Sequence, residues 1–202
     1  MKQLFPGLLI ALSIILYSCG ENASTAKKEQ SSAEQAAPEE ATEVKQVKAS
    51  FTNVDANAMA YIKKITDNYL QIKNALTAGK ATDAGDAAKN MGEAIKGFDK
   101  SLLSADQKKA YDVQEAGLKE NAEHIANSTN DIEHQRERFS NMSEGMYALV
   151  KAFGGGKTLY HDHCPMAKDG KGAMWLSETK EIKNPYFGTK MMECGSVEEE
   201  IQ

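Results

Sequence analysis

The sequence has little excess of positive charge, few cysteines, and no long hydrophobic run apart from one near its start. Its 24 Lys and Arg residues are outnumbered by 29 Asp and Glu residues, which gives a formal net charge of −5. A protein that binds the phosphate backbone concentrates Lys and Arg on one face, so this balance argues against a nucleic-acid partner. The chain also lacks an internal repeat and any alternating apolar and polar run long enough to predict a sheet. These absences favour one ordinary domain with appendages.

The first residues, 1–18, have the pattern of an export signal peptide. Lys2 supplies a positive charge, and the apolar run at residues 8–17 is too short for an ordinary membrane-spanning helix. The letters LYSCG at residues 16–20 resemble the lipobox of bacterial lipoproteins, in which the cysteine after the cleavage site becomes lipid-modified. We therefore expect Cys19 to carry a lipid. The alternative is a secreted protein whose signal merely contains a cysteine.

Residues 19–50 are predicted to form a disordered tether. From residue 21 onwards they are mainly Ala, Glu, Lys, Ser, Thr and Gln, with the single proline Pro38 and no aromatic side chain. Such a composition cannot bury enough apolar surface to offset the entropy lost on ordering. A flexible coil of about thirty residues has an end-to-end distance on the order of 30 Å. The tether would hold the folded part, residues 51–202, close to a membrane.

Four segments of this folded part place apolar residues at steps of three and four, which predicts four helices. The apolar stripes run over residues 62–76, 84–98, 111–125 and 132–153. Asp55 is the predicted N-cap of the first helix. Ser104 with Gln107 has the spacing of a capping box at the third helix, and Asn130 with Glu133 has it at the fourth.

Glycines mark the ends of two helices and weaken another. Gly79 and the run at residues 154–156 are predicted to end the first and fourth helices. Gly85, Gly92 and Gly97 each cost the second helix roughly 1 kcal/mol relative to Ala, and each would permit close helix contact. Four helices joined by short polar turns favour an antiparallel up-down bundle. We therefore predict an all-α fold, an antiparallel up-down four-helix bundle with an irregular Cys/Met-rich C-terminal tail.

The tail, about residues 158–197, gathers soft metal ligands. It holds both cysteines that follow the predicted cleavage site, half of the eight methionines after Met1, and two of the four histidines. Thiolates, thioethers and imidazoles suit Cu(I) best and Zn(II) second, because soft donors select soft metals. The sequence therefore predicts a metal site in the tail. Its candidate ligands are Cys164, Met166, Met191, Cys194, His163 and His161.

Two short motifs place these ligands in pairs. Pro165 biases Cys164 towards extended geometry, in which Cys164 and Met166, two residues apart, share a face. Met191 and Cys194 are three residues apart and would meet on a helical or tight turn. If the two pairs converge, they make a shell of four ligands.

Other interpretations of the same residues stay open. Cys164 and Cys194 would readily form a disulfide in an exported protein, and their even number fits one. Adding His161 and His163 to the two cysteines would make a Cys2His2 zinc site, although the spacing matches no standard zinc finger. The sequence does not assemble a base, a nucleophile and an oxyanion group, so we do not expect an enzyme.

A set of local patterns resembles one bacterial family. They are the residues 164–166, 172–177, 182–188 and 191–195 of the tail, with 131–133, 135–136 and Phe139 of the last helix. They resemble the domain of unknown function 3347 family, and the likeness spans roughly Val54 to Val197. Such domains occur in lipoproteins and on periplasmic adaptor subunits of copper and silver efflux systems.

The resemblance implies a periplasmic role in metal handling. Cys164, Met166, Met191 and Cys194 match the family pattern, whereas His161 and His163 are not part of it. We expect a protein held in the cell envelope by its lipid, facing the periplasm. It would bind Cu(I) or Ag(I) and buffer the ion or deliver it to an efflux adaptor complex. The alternative is a non-metal envelope interaction module stapled by a Cys164–Cys194 disulfide.

The position of Cys19 directly after the apolar segment predicts that it carries the membrane anchor. Mass spectrometry of the membrane fraction should find a lipid on Cys19 as the first residue of the mature chain. Cys19→Ala should release the protein from the membrane. A mature N-terminus elsewhere, or membrane association unchanged in the variant, would show that the anchor assignment is wrong.

Overall fold

The four periodic segments form four long helices. These are α1 (Ala56–Thr77), α2 (Ala81–Lys96), α3 (Ala105–Asn127) and α4 (Ile132–Phe153). Each helix packs on the helix that follows it in the sequence, and α1 also packs on α4. This is the set of contacts expected of an up-down four-helix bundle.

The computed structural model describes residues 44–202. The predicted signal peptide, Cys19 and the predicted tether as far as residue 43 lie outside the described residues. Within the described part of the chain, no helix is long and apolar enough to cross a membrane.

The helix ends follow from local side-chain chemistry. Asp55 caps α1 as predicted, because its carboxylate accepts hydrogen bonds from two backbone N–H groups of the first turn. Ser104 and Gln107 form the reciprocal capping box predicted for α3. The prediction for α4 was one residue out. Its N-cap is Asp131 rather than Asn130, and the Asp131 carboxylate accepts a hydrogen bond from the backbone N–H of His134.

A small sheet, to which the C-terminal part of the chain contributes three strands, corrects the prediction of an all-α fold with an irregular tail. Its strands are β1 (Lys45–Val47), β2 (Leu159–Cys164), β3 (Ala173–Ser177) and β4 (Ser196–Ile201). The order across the sheet is β1-β4-β2-β3. β1 runs parallel to β4, and β2 is antiparallel to both β3 and β4. The helical turn α5 (Ala167–Gly170) connects β2 to β3, and single 3₁₀ turns lie at Lys100–Leu102 and Gly188–Lys190.

The sheet escaped detection in the sequence for two physical reasons. No strand is longer than six residues, so alternation has little length over which to show. β2 also buries residues of both faces, which removes the period-2 contrast between apolar and polar positions. β1 lies within the stretch predicted to be tether. Among the described residues, the folded part therefore already includes Lys45–Val47, which precede the predicted boundary at residue 51.

The sheet is attached to the helices through buried hydrogen bonds. The backbone N–H of Leu176 in β3 donates to the Tyr69 hydroxyl of α1 over 3.0 Å. The same hydroxyl shares a hydrogen bond of 2.8 Å with Ser143 of α4. The Tyr69 ring also stacks on Phe139, with 4.9 Å between ring centroids. One buried tyrosine thus joins two helices and the sheet.

Two glycines of α2 have different surroundings. A Cβ atom on Gly85 would lie 2.6 Å from Cγ2 of Thr129, in the connection between α3 and α4. A Cβ atom on Gly92 would meet nothing within 4 Å. Gly85 therefore permits the close approach suggested by the sequence, whereas Gly92 only weakens the helix.

We expect Gly92→Ala to raise the free energy of unfolding by about 0.5–1 kcal/mol, because Ala loses less backbone entropy in a helix. Gly85→Ala is the matched control and should give no such gain, since the added methyl group overlaps Thr129. Urea denaturation of both variants measures the difference. An equal gain in the two would mean that the contact at Gly85 does not constrain the packing.

Candidate functional site

Two cysteines from distant parts of the tail lie side by side. Cys164 ends β2 and is buried, and Cys194 lies just before β4 and is partly exposed. Both are free thiols, and their side chains are close neighbours. This contact, followed by burial, raises the pKa of Cys194 to about 11. A bound cation is what would favour the thiolate form of Cys194.

The strand register explains why these thiols meet. In the antiparallel pair of β2 and β4, His163 lies opposite Ser196. Cys164 is the residue after His163, and Cys194 lies two residues before Ser196. Antiparallel pairing therefore carries both cysteines to the same end of the sheet.

A buried asparagine holds the turn that carries Cys194. The turn is closed by a hydrogen bond of 3.2 Å from the Cys194 N–H to the Met191 carbonyl. The Asn184 side chain donates to the Cys194 carbonyl over 2.7 Å, and the Asn184 N–H donates to the Met192 carbonyl over 2.8 Å. Asn184 is completely buried. Sequence reasoning predicted a turn at Asn184, because Asn is followed by Pro, but gave Asn184 no role in the site.

The two candidate thioethers lie next to the thiols along the chain. Met166 is 55% exposed, which is unusual for a large apolar side chain. Its backbone N–H lies close to Cys194 and works against the rise in the Cys194 pKa. Met191 is partly exposed and lines a shallow surface depression together with Met192, Glu193 and Cys194. Both methionines can therefore turn towards a soft ligand at the thiols.

The two tail histidines face a glutamate. Nδ1 of His161 and Nδ1 of His163 each lie 3.4 Å from one carboxylate oxygen of Glu198. Neighbouring residues of a strand point to opposite faces, so the His163 ring and the Cys164 thiol are directed away from each other. Burial lowers the pKa of His161, whose ring stacks on Tyr147 at 4.4 Å between centroids. Sequence reasoning did not identify Glu198.

A buried carboxyl group lies between the histidines in the sequence. Asp162 is completely buried, and neither of its oxygens accepts a hydrogen bond. Burial raises its pKa to about 8. The nearby positive charge of Lys73 and the indole of the cross-strand Trp175 lower the pKa but do not cancel the effect of burial. The Trp175 indole is close, but its geometry falls short of a hydrogen bond. Lys73 is buried as well and makes an ion pair of 3.1 Å with Glu178.

Among residues 44–202, no group of three or more His, Cys, Asp or Glu side chains already has the spacing of a closed metal shell. A soft site does not require such a group, because Cu(I) also accepts thioether ligands. The arrangement of two thiols with two solvent-accessible thioethers is therefore the feature of the tail with the clearest chemistry.

The burial of Asp162 predicts a specific dependence of stability on pH. Its folded-state pKa of about 8 lies above its ordinary value, so the folded protein holds a proton that the unfolded chain releases at intermediate pH. The stabilisation is complete below the ordinary pKa and is lost as pH rises through about 8. Asp162→Asn should therefore gain stability relative to the wild type with rising pH, by at most about 1.4 kcal/mol per pH unit.

Denaturant titrations of the reduced protein between pH 4.5 and 8.5, at steps of roughly one unit, measure this difference. Asp169→Asn replaces an exposed carboxyl group and serves as the matched control. A difference between Asp162→Asn and the wild type that stays constant over this range would contradict the assignment.

Comparisons with known proteins bear on the helical part of the chain. No curated protein and no solved structure matches the chain. One family model matches, described as Protein of unknown function (DUF3347), over residues 65–158. The match begins within α1 and ends one residue before β2, so it leaves out both cysteines of the tail. The resemblance noted in the sequence up to residue 197 is thus supported for the helices, and residues 65–158 are similar to the family DUF3347.

Proposed function

We propose that this protein binds Cu(I) through the thiolates of Cys164 and Cys194 and the thioethers of Met166 and Met191. The observation that carries the proposal is the contact between two thiols that are far apart in the sequence. A partly exposed thioether lies close to each thiol along the chain. Soft sulfur donors of this kind select Cu(I) or Ag(I), with Zn(II) as the second choice.

The protonation of the thiols defines how such a site would work. Cu(I) has to displace the thiol protons, and the pKa of Cys194 is raised to about 11. Affinity should therefore decrease as the pH falls. The two thiolates supply negative charge against the cation, and the thioethers complete the shell without adding charge.

The exposed side of the sulfur cluster suits transfer of the metal to another protein. Met166 is exposed and Met191 and Cys194 line a surface depression, whereas Cys164 is buried. An ion could therefore be exchanged without opening the core. With a lipid on Cys19, the protein would lie in the cell envelope facing the periplasm, where it would buffer Cu(I) or deliver it to an efflux adaptor complex. We propose a binding role rather than an enzymatic one.

A second candidate function follows from the same contact. Neighbouring thiols in an oxidising compartment can form a disulfide, and Cys164–Cys194 would then join the end of β2 to the turn before β4. The protein would be a non-metal interaction module of the envelope. Because a disulfide removes both thiolates, it excludes the proposed metal site, and metal content distinguishes the two functions.

Competition against a Cu(I) chelator tests the proposal with the reduced, full mature chain. We expect one Cu(I) per chain. Cys164→Ser and Cys194→Ser should each weaken binding by at least about tenfold, since each removes an anionic ligand. Met166→Leu should cause a smaller loss. His161→Ala should have little effect, because its ring faces Glu198.

Met192→Leu is the matched control, since Met192 lies beside Met191 but is outside the proposed ligand set. Oxidation of the wild type should abolish binding, and a thiol reductant should restore it. If the double variant Cys164→Ser/Cys194→Ser binds Cu(I) as tightly as the wild type, the site is not here. The disulfide-stapled module would then be the better account of the tail.

A further inference from the structure

An irregularity in the sheet directs a carboxylate towards the two histidines of β2. His161 and His163 are two residues apart and share one face of the strand. In the pair with β4, His161 lies opposite Glu199 and Asp162 lies opposite Val197. Glu198 is therefore an extra residue of β4 without a partner on β2. Such bulges re-aim side chains, and this one brings Glu198 to both imidazoles.

Glu198 lies at the same short distance from each of the two histidines. Each Nδ1 atom of the two histidines lies 3.4 Å from a Glu198 oxygen. Donors bound to the same tetrahedral zinc ion, with bonds of about 2.0–2.1 Å, are about 3.3 Å apart. His161 is only 8% exposed, and its Nδ1 atom makes no hydrogen bond. A buried ring nitrogen without a hydrogen-bond partner lowers the stability of the folded protein, and a bound ligand would satisfy it.

The surroundings hold one histidine firmly and leave the other two candidate ligands partly exposed. The ring of His161 stacks on Tyr147, whose hydroxyl donates to Glu199 over 2.6 Å. The side chains of His163 and Glu198 are 35% and 45% exposed. The three donors do not form a closed shell in the structure. Rotation of the two exposed side chains towards His161 would close it.

A glycine determines which nitrogen of His163 is available. Gly172 lies against the other side of the ring, since a Cβ atom there would be 2.6 Å from Nε2 of His163. The Nδ1 atom of His163 is therefore the ring nitrogen on the side that faces Glu198.

We propose that His161, His163 and Glu198 form a second metal site, for a divalent cation of borderline softness such as Zn(II). Two imidazoles and one carboxylate suit such an ion and leave a fourth position for water. The site is separate from the proposed Cu(I) site, because the His163 ring and the Cys164 thiol point to opposite faces of β2.

Zn(II) binding to the full mature chain carrying Cys164→Ser and Cys194→Ser tests the proposal without interference from the thiols. Calorimetry and equilibrium dialysis should give one Zn(II) that depends on this cluster. Glu198→Gln, His163→Ala and His161→Ala should each weaken binding by at least about tenfold, since each removes one of three protein ligands. Glu198→Gln changes an exposed side chain and keeps the test valid if His161→Ala does not fold.

His134→Ala is the matched control. It removes a partly exposed histidine of α4 that also lies near a glutamate, with 3.7 Å between Nδ1 of His134 and Glu137. Binding should be unchanged in this variant. The proposal is overturned if the cysteine-free chain binds no Zn(II), if Glu198→Gln and His163→Ala bind it normally, or if His134→Ala loses as much affinity. None of these results affects the Cu(I) measurement, which depends on the thiols.

Discussion

The antiparallel register between β2 and β4 is the constraint on which the tail depends. It places Cys164 beside Cys194 at one end of the strand pair and Glu198 beside the two histidines further along. A shift of one residue would send each side chain of β2 to the opposite face and separate both clusters. The bulge in β4 matters equally, because regular pairing would give Glu198 a partner on β2. The two candidate sites are therefore products of a single strand pairing.

The helices hold this strand pairing in place. The Tyr69 hydroxyl of α1 accepts a hydrogen bond from the backbone N–H of Leu176. Lys73 of the same helix makes an ion pair with Glu178, the residue immediately after β3. The guanidinium of Arg136 in α4 donates one hydrogen bond of 3.3 Å to the carbonyl of Leu76, one turn further along α1. It donates another of 3.0 Å to the carbonyl of Pro185. These buried polar contacts are satisfied only when sheet and bundle are docked, so they specify one arrangement. The helical part that resembles the family thus serves as the support of the tail.

Several features were accessible to sequence reasoning because they are local. Apolar residues at steps of three and four located all four helices, and Ser104 with Gln107 identified a capping box. The error at Asn130 and Asp131 was one residue, since adjacent Asn and Asp are both good N-caps and only geometry chooses between them. The strands were missed because short segments buried on both faces carry no period-2 signal. β1 was missed because its three residues, charged or polar at two positions, resemble the tether before them.

The sequence by itself determined that soft sulfur ligands are concentrated in the tail and that Cys164 and Met166, like Met191 and Cys194, form local pairs. Those are statements about composition and short spacing, which need no fold. Only the tertiary structure decided that the two cysteines meet, that Asn184 holds the Cys194 turn, and that Glu198 rather than a cysteine faces the histidines. These relations depend on strand pairing between distant segments. Such pairing is set by the combined burial of many side chains, so it leaves no signature in any one stretch of sequence.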